Sequence, residues 1–181
     1  MSEAGHPIWD GSSWRDVPVP ALEGEPLVLA AVGAIVLEEP ERDRLLLQRR
    51  DRPGEAVRGA LEIPTGRWRA GEDPAATLTR EVEEETGLRV VPAFPSPRSV
   101  EAVEGRPFLL LEPGAIALGV AGAYPVLVLA FPCLGSGRPR PEPGRTADPR
   151  WFAMSEVQRL LDDPGRFTGA TYAVLTAWLG R

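Results

Sequence analysis

The sequence predicts an α/β chain, an α+β fold or an α/β/α sandwich, built around one core. Three observations carry that expectation. Short runs rich in Leu, Val, Ile and Ala alternate with turn signals, which is the pattern of strands. A single capped helix stands among them, and two further helical segments close the chain. With 181 residues and 43% hydrophobic content, the chain suits one domain with a real core.

The elements follow in order. Residues 1–25 are polar, bear prolines, carry Trp9 and Trp14, and read as an extension. Leu27–Leu37 (LVLAAVGAIVL) reads as a buried strand, EEPERDR as a turn, and Leu45–Arg50 (LLLQRR) as its hairpin partner. After a loop rich in Gly, Pro and Arg comes a short strand at ALEIP. Asp73 is a good N-cap, Pro74 fits the first helical position, and Gly87 can end the helix in the left-handed conformation. PFLLL, AIALGV and YPVLVLAF are further strand candidates. Ser136–Pro149 is a proline-rich loop before RWFAM, and helices are expected around Ser155–Asp162 and Thr168–Leu179. Trp151 and Phe152 are expected to fill the core.

Composition excludes several functions. A net charge of −6 argues against a nucleic-acid or anionic-membrane surface as the main partner. Cys133 is the only cysteine and His6 the only histidine. Disulfide frameworks, cysteine zinc sites and histidine clusters are therefore ruled out, and acid–base or metal chemistry must come chiefly from carboxylates. The start lacks the basic and apolar regions of a signal peptide, so a cytoplasmic location is expected. Ala115–Gly135 is uncharged and long enough to span a bilayer, but Pro125 and Pro132 interrupt it. Two buried strands joined by a turn account for it better.

The helix poses a physical problem. Glu81, Glu83, Glu84 and Glu85 crowd its last turns. Like charges three or four residues apart repel by about 0.2–0.5 kcal/mol per pair. A carboxylate at a helix C-terminus is misplaced by a further ~0.3–1 kcal/mol. Ala75, Leu78 and Val82 form an apolar stripe, with Glu81, Glu84 and Glu85 on the neighbouring face and Glu83 pointing to solvent. Clustered carboxylates are favourable beside a hard divalent cation such as Mg²⁺, which takes oxygen ligands together with substrate phosphates. Arg80, four residues before Glu84, relieves part of the repulsion. A plain solvated acidic face is the alternative.

The wider spacing decides between these. Gly66, Glu72, Arg80-Glu81-Val82, Glu84-Glu85 and Gly87-Leu88 stand at intervals that resemble, position for position, the Nudix box of the Nudix hydrolase family. The resemblance extends over residues 26–181 and leaves residues 1–25 outside it as an N-terminal extension. It implies an α/β/α sandwich with a mixed sheet and a loop–helix–loop catalytic motif. It also implies Mg²⁺- or Mn²⁺-dependent hydrolysis of nucleoside diphosphates linked to another moiety.

Carried over by position, Glu81, Glu84, Glu85 and the carbonyl of Thr65 are the implied metal ligands, oriented by Arg80 and Glu72. The general base is Glu81 or, from the downstream loop, Glu142. Among Arg49, Arg50, Arg52 and Arg67, the candidates for gripping phosphate are Arg50 and Arg67, and Trp68 either stacks on a base or covers the helix. The approach to the box is similar to that of ADP-ribose and nucleotide-sugar pyrophosphatases, although Thr65 replaces their alanine. Cleavage of oxidised nucleoside triphosphates and a non-catalytic ligand sensor stay open as alternatives. Extensions in the family often serve homodimers, which gives residues 1–25 an expected role.

Overall fold

The structure, a computed structural model, describes residues 5–9, 14–18, 28–69, 72–101, 107–120 and 125–180. In chain order the strands before the helix are β1 (Gly5–Trp9), β2 (Trp14–Pro18), β3 (Leu29–Glu38), β4 (Arg44–Arg50), β5 (Leu61–Glu62) and β6 (Thr65–Arg67). Helix α1 (Pro74–Thr86) follows, then β7 (Val90–Pro92), β8 (Arg98–Glu101), β9 (Pro107–Leu110) and β10 (Ala115–Gly119). The chain closes with β11 (Val126–Gly135), β12 (Thr146–Ala153), α2 (Met154–Leu160), a 3₁₀ turn (Pro164–Arg166) and α3 (Gly169–Trp178). No helix among the described residues is long and apolar enough to cross a membrane.

The central sheet runs β10-β11-β3-β4-β12, with β5 on β4, β6 on β3 and β7 on β11. It is mixed: β3 and β11 are parallel over ten residues from Leu29↔Val126 to Glu38↔Gly135, and the other pairs are antiparallel. β1 with β2, and β8 with β9, form separate two-stranded sheets. The Trp9 and Trp14 side chains lie outside the described residues.

Two apolar layers cover the sheet. Ala31, Ile35, Leu45, Leu47, Phe152, Val157, Val174 and Leu175 form the layer under α2 and α3. Val32, Ala34, Val36, Leu46, Phe131, Leu78 and Val82 form the layer under α1. Alternate residues of β3 and β4 enter opposite layers, so both strands read as unbroken apolar runs rather than as alternating ones. Each fully buried Leu, Ile or Val contributes about 1.5–3 kcal/mol. Phe152 is buried as expected, and Trp151 packs beside the α1 layer while its Nε1 donates to the carbonyl of Gly137 at 2.8 Å.

One expectation needs correction. β11 is largely buried, but β10 is a sheet edge that exposes Ile116 (58%) and Leu118 (53%). Only its alternate residues, Ala115 and Ala117, enter the layer under α3. An edge strand covered on one face can hide only half of its side chains.

Candidate active site

The site grows from the caps of α1. The Asp73 side chain accepts from the Ala75 amide at 2.7 Å, Pro74 begins the helix, and Gly87 ends it at φ 67°. That fixed register, with Leu78 and Val82 anchored in the core, aims Glu81 and Glu85 at the sheet and leaves Glu83 and Glu84 outside.

Glu85 is the centre of the arrangement. It is 2% exposed and accepts hydrogen bonds from Gln48 Nε2 at 2.7 Å and the Thr65 amide at 3.3 Å. Among the described residues no arginine lies at ion-pair distance from it. Burial, then the negative charges of Glu62 and Glu81, push its carboxyl up to about 8, although the Gln48 bond pulls the other way. Glu62 is buried too, and burial raises its carboxyl against the pull of Arg50 and Arg52.

Arg80 gathers the other carboxylates of the motif. Its Nη1 donates to Glu81 at 2.6 Å and to Glu84 at 3.4 Å, and its Nη2 donates to Glu72 at 3.3 Å. The Thr77 hydroxyl (2.7 Å), together with Arg80, holds the Glu72 carboxyl below the ordinary carboxylate range. Gly66 is required by space: a Cβ there would fall inside the Glu81 carboxyl group.

A basic cluster faces this centre from β4 and the loop after it. Arg50 grips Glu55 with two bonds, 2.6 and 3.0 Å, and reaches Glu62 at 3.3 Å. Burial alone would lower the Arg50 pKa, but the bond to Glu55 and the charges of Glu62, Glu55 and Glu85 hold it above its ordinary value. Arg52 is different. Its Nε is buried without a hydrogen-bond partner, and burial and the charge of Arg50 depress its pKa.

The downstream loop is tied to the same place. The Thr146 hydroxyl donates to the Glu85 carbonyl at 3.0 Å and accepts from the Glu142 amide at 2.9 Å. Oε2 of Glu142 is buried without a hydrogen-bond partner, and its Oε1 lies 3.6 Å from Arg145 Nε. Glu142 is thus held beside the C-terminal turn of α1.

Of the residues singled out in the sequence, Glu72, Arg80, Glu81 and Glu84 share one hydrogen-bonded cluster, and Thr65, Glu85, Arg50 and Glu142 adjoin it. Arg67, on β6, is partly buried outside that cluster. Trp68 donates from Nε1 to the Glu72 carbonyl at 2.8 Å and packs beside the α1 layer, so its ring covers the helix start. Sequence reasoning missed Gln48, Glu62 and Glu55 and passed over Arg52. Gln48 carried one readable signal, a polar residue at a core position of an apolar strand.

Among the described residues no three acidic, cysteine or histidine side chains stand ready as a metal cage. A divalent cation that keeps its waters needs only one or two carboxylates. The donors here fit one. They are hard oxygens, Glu85 is buried without a counter-cation, and Gln48 Oε1 is a buried acceptor with no partner.

The family model of the NUDIX domain matches residues 28–170. This chain belongs to the NUDIX family. The Nudix chain is 33% identical over 153 residues to a CMP-5'-(N-acetyl-N-hydroxy-3-aminopropyl)phosphonate hydrolase of Streptomyces rubellomurinus, a match covering 84% of this chain and 66% of that one. A 65-residue stretch is 42% identical to an octanoyltransferase of Myxococcus xanthus, covering 36% of this chain and 17% of that protein. The chain thus spans less than two thirds of either relative's length. Among solved structures, a MutT NUDIX hydrolase from Burkholderia pseudomallei superposes with a TM-score of 0.55 at 23% identity, over 84% of this chain and 97% of that one. A MutT protein from Methanosarcina mazei gives 0.60 at 17% identity, over 82% and 90%. At these identities the two structures establish the Nudix fold alone.

Proposed function

We propose that this Nudix chain hydrolyses the pyrophosphate-type linkage of a nucleoside diphosphate derivative, with Mg²⁺ or Mn²⁺ as cofactor. One observation carries the reading: Glu85 is a buried carboxyl beside two other acids, with no arginine paired to it among the described residues. A fold held for stability alone gains nothing from such a group, because unpaired buried charge is strongly unfavourable. A cation makes it favourable. Glu85, Glu81, Glu84 and the carbonyl of Thr65 would hold the metal, which supplies positive charge to the phosphate oxygens and makes water more acidic.

The chain's own residues do the rest. Gln48 and the Thr65 amide fix the Glu85 carboxyl, and Arg80 with Glu72 orients Glu81 and Glu84. Arg50 and Arg52 bring guanidinium donors to the substrate phosphates, and the Arg52 Nε has no hydrogen-bond partner among the described residues. Glu81 or Glu142 accepts the proton of the attacking water.

ADP-ribose or a nucleotide sugar is the favoured substrate class. The Streptomyces relative, by its name, cleaves a CMP-linked phosphonate, which supports a nucleotide joined to a second group. The test is phosphate and nucleotide release from a panel with Mg²⁺: ADP-ribose, nucleotide sugars, CMP-phosphonates, and normal and oxidised triphosphates. Turnover of one class, abolished by Glu85→Gln, is expected. Binding without turnover across the panel would instead make the chain a ligand sensor.

A further inference from the structure

A second basic cleft opens on the other face of the sheet. Its volume is about 480 Å³, and it is walled by Arg49 of β4, Arg58 of the following loop, Arg150 of β12 and Arg166 of the 3₁₀ turn. Phe152 and Phe167, both members of the layer under α2 and α3, supply an apolar floor. The volume lies within the range of small-molecule sites, roughly 300–1,000 Å³. Glu156 is the single acid among the described residues that line it.

The arginines differ in how firmly they are held within the protein: Arg49 Nη1 donates to the Gly59 carbonyl at 2.7 Å, which fixes it at the cleft wall. Arg49 and Arg150 share one carboxylate, Asp148, at 3.9 and 3.7 Å, distances too long for direct hydrogen bonds. Arg58 grips Asp51 from both Nε (2.8 Å) and Nη2 (2.7 Å), whereas Arg166 pairs with Asp163 at 3.2 Å with both side chains well exposed. Exposed or long pairs such as Arg166–Asp163 and the two to Asp148 are worth ~0–1 kcal/mol, so an incoming anion displaces those cheaply. The Arg150 guanidinium is stacked 4.3 Å from the Phe152 ring centroid, which limits its freedom and lowers the entropy lost on binding.

The backbone contributes as well. The β12–β4 register shifts between Ala147 and Arg150, and Asp148 within that bulge adopts φ 46°, in the left-handed region. A bulge re-aims neighbouring side chains, and Asp is among the few residues that tolerate the left-handed conformation. Here it sets one carboxylate between two guanidinium groups.

We propose that this cleft binds a phosphate-bearing small molecule, independently of metal and of the carboxylate centre behind the sheet. Three or four guanidinium groups over an aromatic floor match a phosphate, or a phosphate ester, attached to an apolar or planar body. The two sites share a backbone: Arg49 enters this cleft while its neighbour Arg50 enters the carboxylate centre. An occupant here therefore bears directly on the strand that presents Gln48 and Arg50.

The test is a titration of the whole chain with inorganic pyrophosphate in excess EDTA, followed by amide NMR. Saturable shifts are expected at Gly59 and Gly165 in the cleft, apart from any at Thr65 and Gly66 in the carboxylate centre. Arg166→Gln and Arg150→Gln are each expected to weaken the cleft response about tenfold, the loss of one charge-assisted bond, and to leave Thr65 and Gly66 unchanged. Arg166 is exposed, so its variant keeps the test valid if Arg150→Gln, which also unstacks Phe152, fails to fold. Absence of saturable shifts at Gly59 and Gly165, or an affinity in both variants equal to that of the parent chain, overturns the proposal. Substrate added to Glu85→Gln then identifies the source of the phosphate. Displacement of pyrophosphate from the cleft assigns it to phosphates of the substrate itself, and simultaneous binding assigns it to a separate molecule. Either result supports the site.

Discussion

Replacing Glu85 by Gln removes the charge on which the proposed chemistry rests while keeping the side chain's shape, and its effect on stability can be worked out. In the unfolded chain the carboxyl ionises near 4.5, whereas in the metal-free fold it stays protonated up to about 8. Between those limits the folded state binds more protons than the unfolded one, so this group destabilises the fold progressively as pH rises, and the cost is constant above the window. At about 1.36 kcal/mol per pH unit, that cost is roughly 3 kcal/mol at pH 7 and about 5 kcal/mol at pH 9. A neutral amide carries none of it. The amide can still accept from Gln48 and Thr65, and any cost of placing its NH₂ group does not vary with pH. Urea unfolding in EDTA at pH 5, 7 and 9 should therefore show the variant gaining on the parent chain by about 2.5 kcal/mol from pH 5 to pH 7. Added Mg²⁺ should then stabilise the parent and leave Glu85→Gln unmoved. A stability difference that is flat across pH, or equal stabilisation of both proteins by Mg²⁺, would refute the reasoning.

Other outcomes follow from neighbouring contacts. Gly66→Ala forces a methyl group into the Glu81 carboxyl, so thermal unfolding should record a loss of about 1–3 kcal/mol. Displacing that carboxyl by even an ångström should cut kcat/KM about 10²-fold. Gln48→Leu deletes the strongest bond holding Glu85 ionised, and the acid limb of the pH–rate profile at low Mg²⁺ should move to higher pH. Arg52→Ala should raise KM about tenfold with little change in fold stability, because its buried Nε has no hydrogen-bond partner among the described residues and its attraction to Glu55 and Glu85 is opposed by burial and by Arg50. Glu81→Gln and Glu142→Gln, compared by kcat, separate the two candidate bases: the true one loses about 10²–10⁴-fold.

Helix α1 was legible because its signals are local. Asp73, Pro74 and Gly87 mark its ends within the helix itself, and the side chains of Leu78 and Val82 show which face is covered. The partners of Glu85 were not legible, because Gln48 and Thr146 reach it only when three separate segments of chain converge. β6 and β7, three residues each, are too short to show any periodicity, and their pairing with β3 and β11 is what makes them strands. Likewise, the exposure of Ile116 and Leu118 depends on β10 being at the edge, which is a property of sheet order and not of the AIALGV run itself. Arg58, Arg150 and Arg166 of the second cleft were invisible for another reason, and Arg49 was passed over for the same one: the chain has arginine and no lysine, so no single arginine stood out.

The parallel pairing of β3 with β11 joins segments more than half the chain apart, and the hydroxyl that secures the Glu85 backbone belongs to β12, further along still. A chain emerging from the ribosome therefore displays its whole glutamate motif long before the strands that complete the site exist. On the proposed reading, such a nascent chain would carry its acids without the β12 hydroxyl that secures the Glu85 backbone, so hydrolysis would begin only once β11 and β12 have docked.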